Sequence, residues 1–216
     1  MGGTDFPADR RSMVARQLRG RGIDDERVLA AMESVPRERF LPEPMRRRAY
    51  ADSALPIGDG QTISQPWIVA AICQAMRLEG DELVLEVGTG SGYSTAVLSQ
   101  LASTVLSVER RPGLATQAAA KLAELGVGNV EVVVGDGSRG LPDRGPFDAV
   151  AVHAAAPAPP STLLGQLGPG GRLVAPIAVD NADMLTVFRR AADEIRSEEI
   201  GPCRFVPLVG EEGFEP

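Results

Sequence analysis

Apolar positions fall into distinct runs along the chain, and their spacing predicts most of the secondary structure. In the first fifty residues they recur at helical intervals and predict two short helices, Asp9 to Arg19 and Asp24 to Val35. The second has Asp24 as its N-cap and Ile23 placed to staple against Val28. Pro36, Pro42 and Pro44 then break the pattern. Leu55 to Pro66 reads as a loop, followed by the apolar helix Trp67 to Met76. A loop of that length inside a compact domain is usually functional.

Beyond residue 80 the pattern changes. Short apolar runs at 83–87, 104–108, 130–134, 147–152 and 171–177 alternate with helical stretches at 93–101, 112–125 and 160–167. That alternation is the βαβ signature of a parallel sheet covered on both faces. Met184 to Arg190 and Ile195 to Leu208 are extended runs able to add antiparallel strands at the edge, and Gly210 to Pro216 reads as a frayed tail. The expected fold is therefore α/β: a doubly wound, Rossmann-like sheet with an N-terminal helical segment and C-terminal edge strands. One domain spans residues 1–216: helices and a substrate loop over 1–80, a cofactor-binding core over 81–178, and strands and tail over 179–216.

The chemistry concentrates at strand ends. Val84 to Val87 runs into Gly88-Thr89-Gly90-Ser91-Gly92-Tyr93, with Glu86 just before the glycines. Glycines there let the chain turn sharply and approach a ligand without a Cβ in the way. A dinucleotide loop wants G-x-G-x-x-G; here the motif is E-x-G-x-G-x-G, with Tyr93 at the position of that fingerprint's last glycine, and this spacing favours S-adenosylmethionine. Glu109 ends the second strand, where carboxylate oxygens can accept from both hydroxyls of a ribose. Asp136 and Gly137 end the third and suit an adenine edge, the carboxylate accepting from an exocyclic amine. Three acidic strand ends in succession make cofactor binding a better reading than three solvated loop charges.

Composition narrows the class. The 216 residues, 44% of them hydrophobic, suffice for one large core. Cys73 and Cys203 stand far apart with no C-x-x-C partner and read as reduced core thiols. No apolar run approaches a membrane span, no basic-then-apolar leader is present, and Met1 to Phe6 lacks a myristoylation signal, so a cytoplasmic protein without membrane contact is expected. The net charge of −7 divides into +3 over residues 1–50 and −10 over the remainder. Arg46-Arg47-Arg48 is short, lacks interleaved aromatics, and reads as a solvated helix face, so nucleic acid is not an expected partner. No cluster with metal-ligand spacing occurs and no metal is expected. His153, the only histidine, reads as a bystander near the crevice rather than a general base; Trp67 reads as core, and Tyr93 as core or a stacking surface.

Nearly the whole chain resembles the protein-L-isoaspartate (D-aspartate) O-methyltransferases. The likeness runs from Met13-Val14 and Val35-Pro36-Arg37-Glu38 through Leu55-Pro56-Ile57-Gly58 and Gly60-Gln61-Thr62-Ile63-Ser64-Gln65-Pro66. It continues through the glycine loop, Gly135-Asp136-Gly137, Ala154-Ala155-Ala156-Pro157 and Gly170-Gly171-Arg172-Leu173-Val174 to Arg204-Phe205-Val206-Pro207-Leu208. The resemblance implies a methyltransferase sheet of seven strands with reordered C-terminal strands. It implies Ser64 at the methyl-acceptor site, Thr62 and Ile63 beside the cofactor, and peptide binding across residues 56–66 and the C-terminal strand. It further implies transfer of a methyl group from S-adenosylmethionine to the free carboxylate of isoaspartyl or D-aspartyl residues in peptides and proteins. A monomer is expected. On local sequence alone Ser64 could equally cap the helix that follows. Asp59 and His153 depart from the residues usual at those positions. Two other readings stay open: a methyltransferase of the same fold esterifying aspartate in a dedicated peptide, and a recognition module that binds damaged protein without catalysis.

Overall fold

The computed structural model describes residues 5–180, 182–192 and 194–215. Met1 to Thr4, read above for a lipidation signal, and Pro216 lie outside the described residues. Helix α1 is Phe6–Met13; it runs on through a π turn, Val14–Leu18, and a 3-10 turn, Arg19–Arg21, to Gly22 at φ 88°. It starts earlier than the pattern predicts because the Asp5 carboxylate accepts from the Ala8 N–H at 3.0 Å. Helix α2, Glu26–Ser34, is capped by Asp25, not Asp24. The Gln74 carboxamide accepts the N–H groups of both Asp24 and Asp25, fixing the chain so that Asp25 is the last residue before the helix. The proline-rich stretch forms only 3-10 turns, Arg37–Phe40 and Glu43–Arg48, the latter carrying the three exposed arginines.

The predicted loop over Leu55 to Pro66 is largely a hairpin, β1 Leu55–Gly58 with β2 Gln61–Ile63. Asp59 at φ 51° and Gly60 at φ 70° form its two-residue turn, both left-handed as such a turn demands. Asp59 thus has a conformational reason for its place and stays exposed at the tip. Helix α3, Pro66–Met76, follows.

The core alternates β3 Leu83–Val87, α4 Tyr93–Ser99, β4 Thr104–Glu109, α5 Pro112–Glu124, β5 Val130–Val134, β6 Phe147–Val152 and α6 Ser161–Gly165. Then come β7 Leu167–Val179, β8 Ala182–Ala191 and β9 Glu194–Cys203. The sheet order is β5-β4-β3-β6-β7-β8-β9; β5 through β7 are parallel, and β8 and β9 each run antiparallel to the strand before. Helix α6 is shorter than predicted because Leu167 already pairs with Phe147. The run from Ile195 to Leu208 is not one strand: it leaves the edge after Cys203, where the Asp183 carboxylate takes the Phe205 N–H at 2.7 Å.

Alternation along β3 distributes the core. Val84 packs into an apolar cluster with α1 to α4, whereas Leu85 and Val87 join a second cluster with Phe147, Leu163 and Leu173 on the other face. Glu86 shares the face of Val84, toward the N-terminal helices. That geometry decides its role below.

Candidate active site

A cavity of about 230 Å³ opens at the carboxyl ends of β3, β4 and β6. The chain enters the sheet at β3 and later returns to its other side with β6, so the crevice between their ends is the topological switch point where open α/β sheets bind ligands. Thr62, Ile63, Ser64, Gly88, Gly90, Glu109 and Gly137 all line it, as the sequence led one to expect. Glu86, Gly92 and Asp136 do not.

The glycine loop is held by its backbone. Gly88, Gly90 and Gly92 sit at φ 95°, 53° and 86°, where a side chain would be strained. The Gly88 N–H reaches Val108 C=O at 2.8 Å. Gly92 serves helix packing: a Cβ there would lie 3.2 Å from the Ala118 methyl. Glu109 is nearly buried, its two oxygens accepting the N–H groups of Gly90 at 2.8 Å and Arg111 at 2.9 Å. Each oxygen keeps a further lone pair. At Gly137 a Cβ would stand 2.5 Å from Val87 Cγ1, so this wall admits only glycine. The two Glu109 oxygens beside left-handed glycines and a wall without a side chain fit an adenosyl ligand.

Glu86 corrects the sequence reading. Its carboxyl is fully buried behind the loop, Oε2 accepting from the hydroxyls of Thr95 at 2.5 Å and Ser107 at 2.6 Å. Ser107 in turn shares a hydrogen bond with Thr89 at 2.6 Å. Glu86 therefore ties β3, β4, α4 and the glycine loop together from beneath. His153 lies at the crevice, as expected: its side chain is 7% exposed, lines the cavity, and places Nε2 3.2 Å from both Ser94 Oγ and Glu86 Oε1.

Ser64 lines the cavity immediately before α3. It is not that helix's cap, because Gln65 holds the position and makes no side-chain cap bond. Among the described residues the Ser64 hydroxyl has no hydrogen-bond partner. Tyr93, also on the wall, is buried between Phe40, edge-on at 5.7 Å, and Arg37, whose guanidinium lies 4.8 Å over its ring. Burial pushes the Tyr93 hydroxyl up to about 12 and the wholly buried Arg37 down to about 10. Trp67 stays off the wall, packed on the core under Arg21. Cys73 and Cys203 are free, and burial raises both thiols.

The C-terminal segment supplies the opposite wall, which sequence reasoning missed in part. Ala155 N–H binds Val206 C=O and Leu208 N–H binds Ala155 C=O, both at 2.8 Å, which lays Val206 to Val209 along the cavity. The expected frayed tail is docked instead. Phe214 N–H returns to Leu208 C=O at 2.7 Å, and Asp136 Oδ2 accepts the Glu211 N–H at 2.8 Å. Burial works against the Asp136 charge, but the Glu211 N–H, the Ser138 hydroxyl and N–H, and Arg139 together hold its pKa below the usual value.

The family model for protein-L-isoaspartate(D-aspartate) O-methyltransferases matches residues 9–213. The chain belongs to that family. It is 54% identical over 213 residues to protein-L-isoaspartate O-methyltransferase 1 of Rhodopseudomonas palustris strain HaA2, covering 98% of this chain and 87% of that protein. It is 52% identical over 207 residues to protein-L-isoaspartate O-methyltransferase 2 of Pelobacter propionicus, covering 95% and 92%. Among solved structures, a protein-L-isoaspartate O-methyltransferase superposes with TM-score 0.85 at 30% identity, covering 94% of this chain and 67% of that one. A putative Plasmodium falciparum protein of the same name, solved with S-adenosyl-L-homocysteine, shares the fold with TM-score 0.79 at 24% identity, covering 93% and 98%. This methyltransferase accordingly uses S-adenosylmethionine as its methyl donor.

Proposed function

We propose that this methyltransferase esterifies the free carboxylate of isoaspartyl or D-aspartyl residues in peptides and proteins, the α-carboxylate in the isoaspartyl case, as the first step of a repair that proceeds through a succinimide. The observation that carries the acceptor side is Ser64: a hydroxyl on the cavity wall, with no partner of its own among the described residues and no capping task. The donor, when bound, supplies an electrophilic sulfonium methyl. An α-carboxylate with a reference pKa of about 3.5 is already anionic at neutral pH, so no general base is required. The chain's task is to hold the reacting atoms in line and keep water out, effects able to supply about 7–11 kcal/mol.

In this reading Glu109 accepts from the ribose hydroxyls, Gly88 and Gly90 let the backbone approach the methionyl part, and Thr62 and Ile63 close over the cofactor. Gly137 borders the adenine, and Asp136, next to it and just behind the cavity wall, offers the one lone pair of Oδ2 that Glu211 leaves open. Glu86 and Gly92 serve from behind, as props of the loop. Ser64 donates to one oxygen of the acceptor carboxylate, and the hairpin β1–β2 with residues 206–209 receives the flanking peptide. A monomer working in the cytoplasm, with no nucleic-acid or membrane partner, completes the proposal. The acidic balance and the two free thiols support the cytoplasmic placement without nucleic acid; no described helix is long and apolar enough to cross a membrane.

Ser64→Ala tests the acceptor role. Losing one hydrogen bond to a charged group, about 1.5–3 kcal/mol, should lower kcat and kcat/KM together by about 10- to 100-fold. Cofactor affinity and melting temperature should stay unchanged, since Ser64 caps nothing. A fully active Ser64→Ala protein would remove the residue from the acceptor site.

A further inference from the structure

The C-terminal loop lies against the strand-end loop that carries Asp136. Leu208 and Val209 stand on the cavity wall with Gly137, while the chain from Gly210 to Phe214 turns back beside Asp136. Asp136 Oδ1 accepts from both the N–H and the hydroxyl of Ser138, at 2.9 and 2.7 Å. Oδ2 accepts from Glu211 N–H at 2.8 Å, and Ser138 Oγ accepts Glu212 N–H at 3.0 Å. The approach is possible only because residue 210 is glycine: a Cβ there would lie 2.0 Å from Asp136 Oδ1 and 2.6 Å from Ser138 Oγ. Gly213 is equally constrained, since its Cβ would come 2.2 Å from Leu208 C=O. Outside the loop an ion pair between Arg139 and Glu211, 3.1 Å apart, joins the same two segments.

We propose that this loop is a working part of the cofactor site, with Gly210 and Glu211 as positioning residues that act through Asp136. Ser138 fills both lone pairs of Oδ1 and Glu211 one of Oδ2, so a single acceptor position remains and its direction is set by the loop. Cofactor affinity therefore depends on a backbone N–H 75 residues from the carboxylate it orients.

The inference rests on the cofactor placement proposed above, and the test is calorimetric titration with S-adenosylhomocysteine, without any acceptor. Gly210→Ala should weaken binding about 10-fold or more, raising KM for S-adenosylmethionine with kcat within about twofold of the parent. Asp136→Ala should weaken it comparably. The double variant should bind no more weakly than Asp136→Ala alone, because both act through one contact. Should Gly210→Ala not fold, Glu211→Pro removes the donor to Oδ2 together with the ion pair to Arg139 and should act in the same direction, whereas Glu211→Ala, which loses the ion pair but keeps the N–H, should bind as the parent does. Unchanged affinity in a folded Gly210→Ala or Glu211→Pro protein, or losses that add in the double variant, would overturn the proposal. No peptide enters the titration, so its failure leaves the acceptor reading standing. A protein that binds S-adenosylhomocysteine normally yet does not methylate an isoaspartyl peptide fails that reading and not this one.

Discussion

Glu86→Ala is expected to lower the melting temperature by about 10 °C and to destroy the cofactor site with it. Glu86 is 0% exposed, and its Oε2 accepts the hydroxyls of both Thr95 and Ser107. Truncation strands the Thr95 hydroxyl in the core, at about 1–3 kcal/mol, and leaves Ser107 with Thr89 as its one partner. The void left by the side chain adds to that. A total of about 3–5 kcal/mol corresponds, in a domain of this size, to roughly 2–4 °C per kcal/mol. The glycine loop would loosen as well, since Thr89 is fixed through Ser107. Glu86→Gln keeps an oxygen able to accept both hydroxyls and should lose far less. Thermal unfolding followed by circular dichroism decides it; a melting point within about 2 °C of the parent would show that the network does not hold the loop.

Glu109→Ala should leave the fold standing and remove most of the affinity for the cofactor. The carboxylate orders the loop by accepting Gly90 and Arg111 N–H, and it also presents its remaining lone pairs to the ribose. Loss of both contributions is expected to cost about 3–4 kcal/mol, a 100- to 1000-fold rise in the Kd for S-adenosylhomocysteine. Glu109→Gln, which retains an acceptor oxygen, should fall between the two. Titration calorimetry measures this directly, and an unchanged Kd in a folded Glu109→Ala protein would take Glu109 out of the ribose site. The contrast with Glu86 is the useful part: two glutamates at neighbouring strand ends, one expected to act on stability and the other on binding.

The alternation of residues along β3 carries that contrast. Val84 and Glu86 lie on one face of β3 and Leu85 and Val87 on the other, so period-two alternation already turned Glu86 toward the helices and away from the crevice. The parallel strands were legible because each is a short apolar run between helical stretches. The hairpin's signal, Asp59-Gly60, is visible in the sequence. The cap at Asp25, the break after Cys203 and the docked tail were not legible, because each depends on a partner remote in sequence. Gln74 reaches back 50 and 49 residues to Asp24 and Asp25, and Asp136 meets Glu211 across 75. Local spacing carries no trace of such bonds. Ser64 was open to two readings from the sequence; the placement of Gln65 at the helix start removes the capping one.

Methyl transfer from S-adenosylmethionine to paired synthetic peptides, identical except for an isoaspartyl or an ordinary aspartyl linkage, tests the central claim most directly. The expected result is base-labile methyl ester on the isoaspartyl peptide alone, formed about 10- to 100-fold more slowly by Ser64→Ala. Equal or preferential methylation of the aspartyl peptide, or no transfer by protein that binds S-adenosylhomocysteine normally, would contradict it.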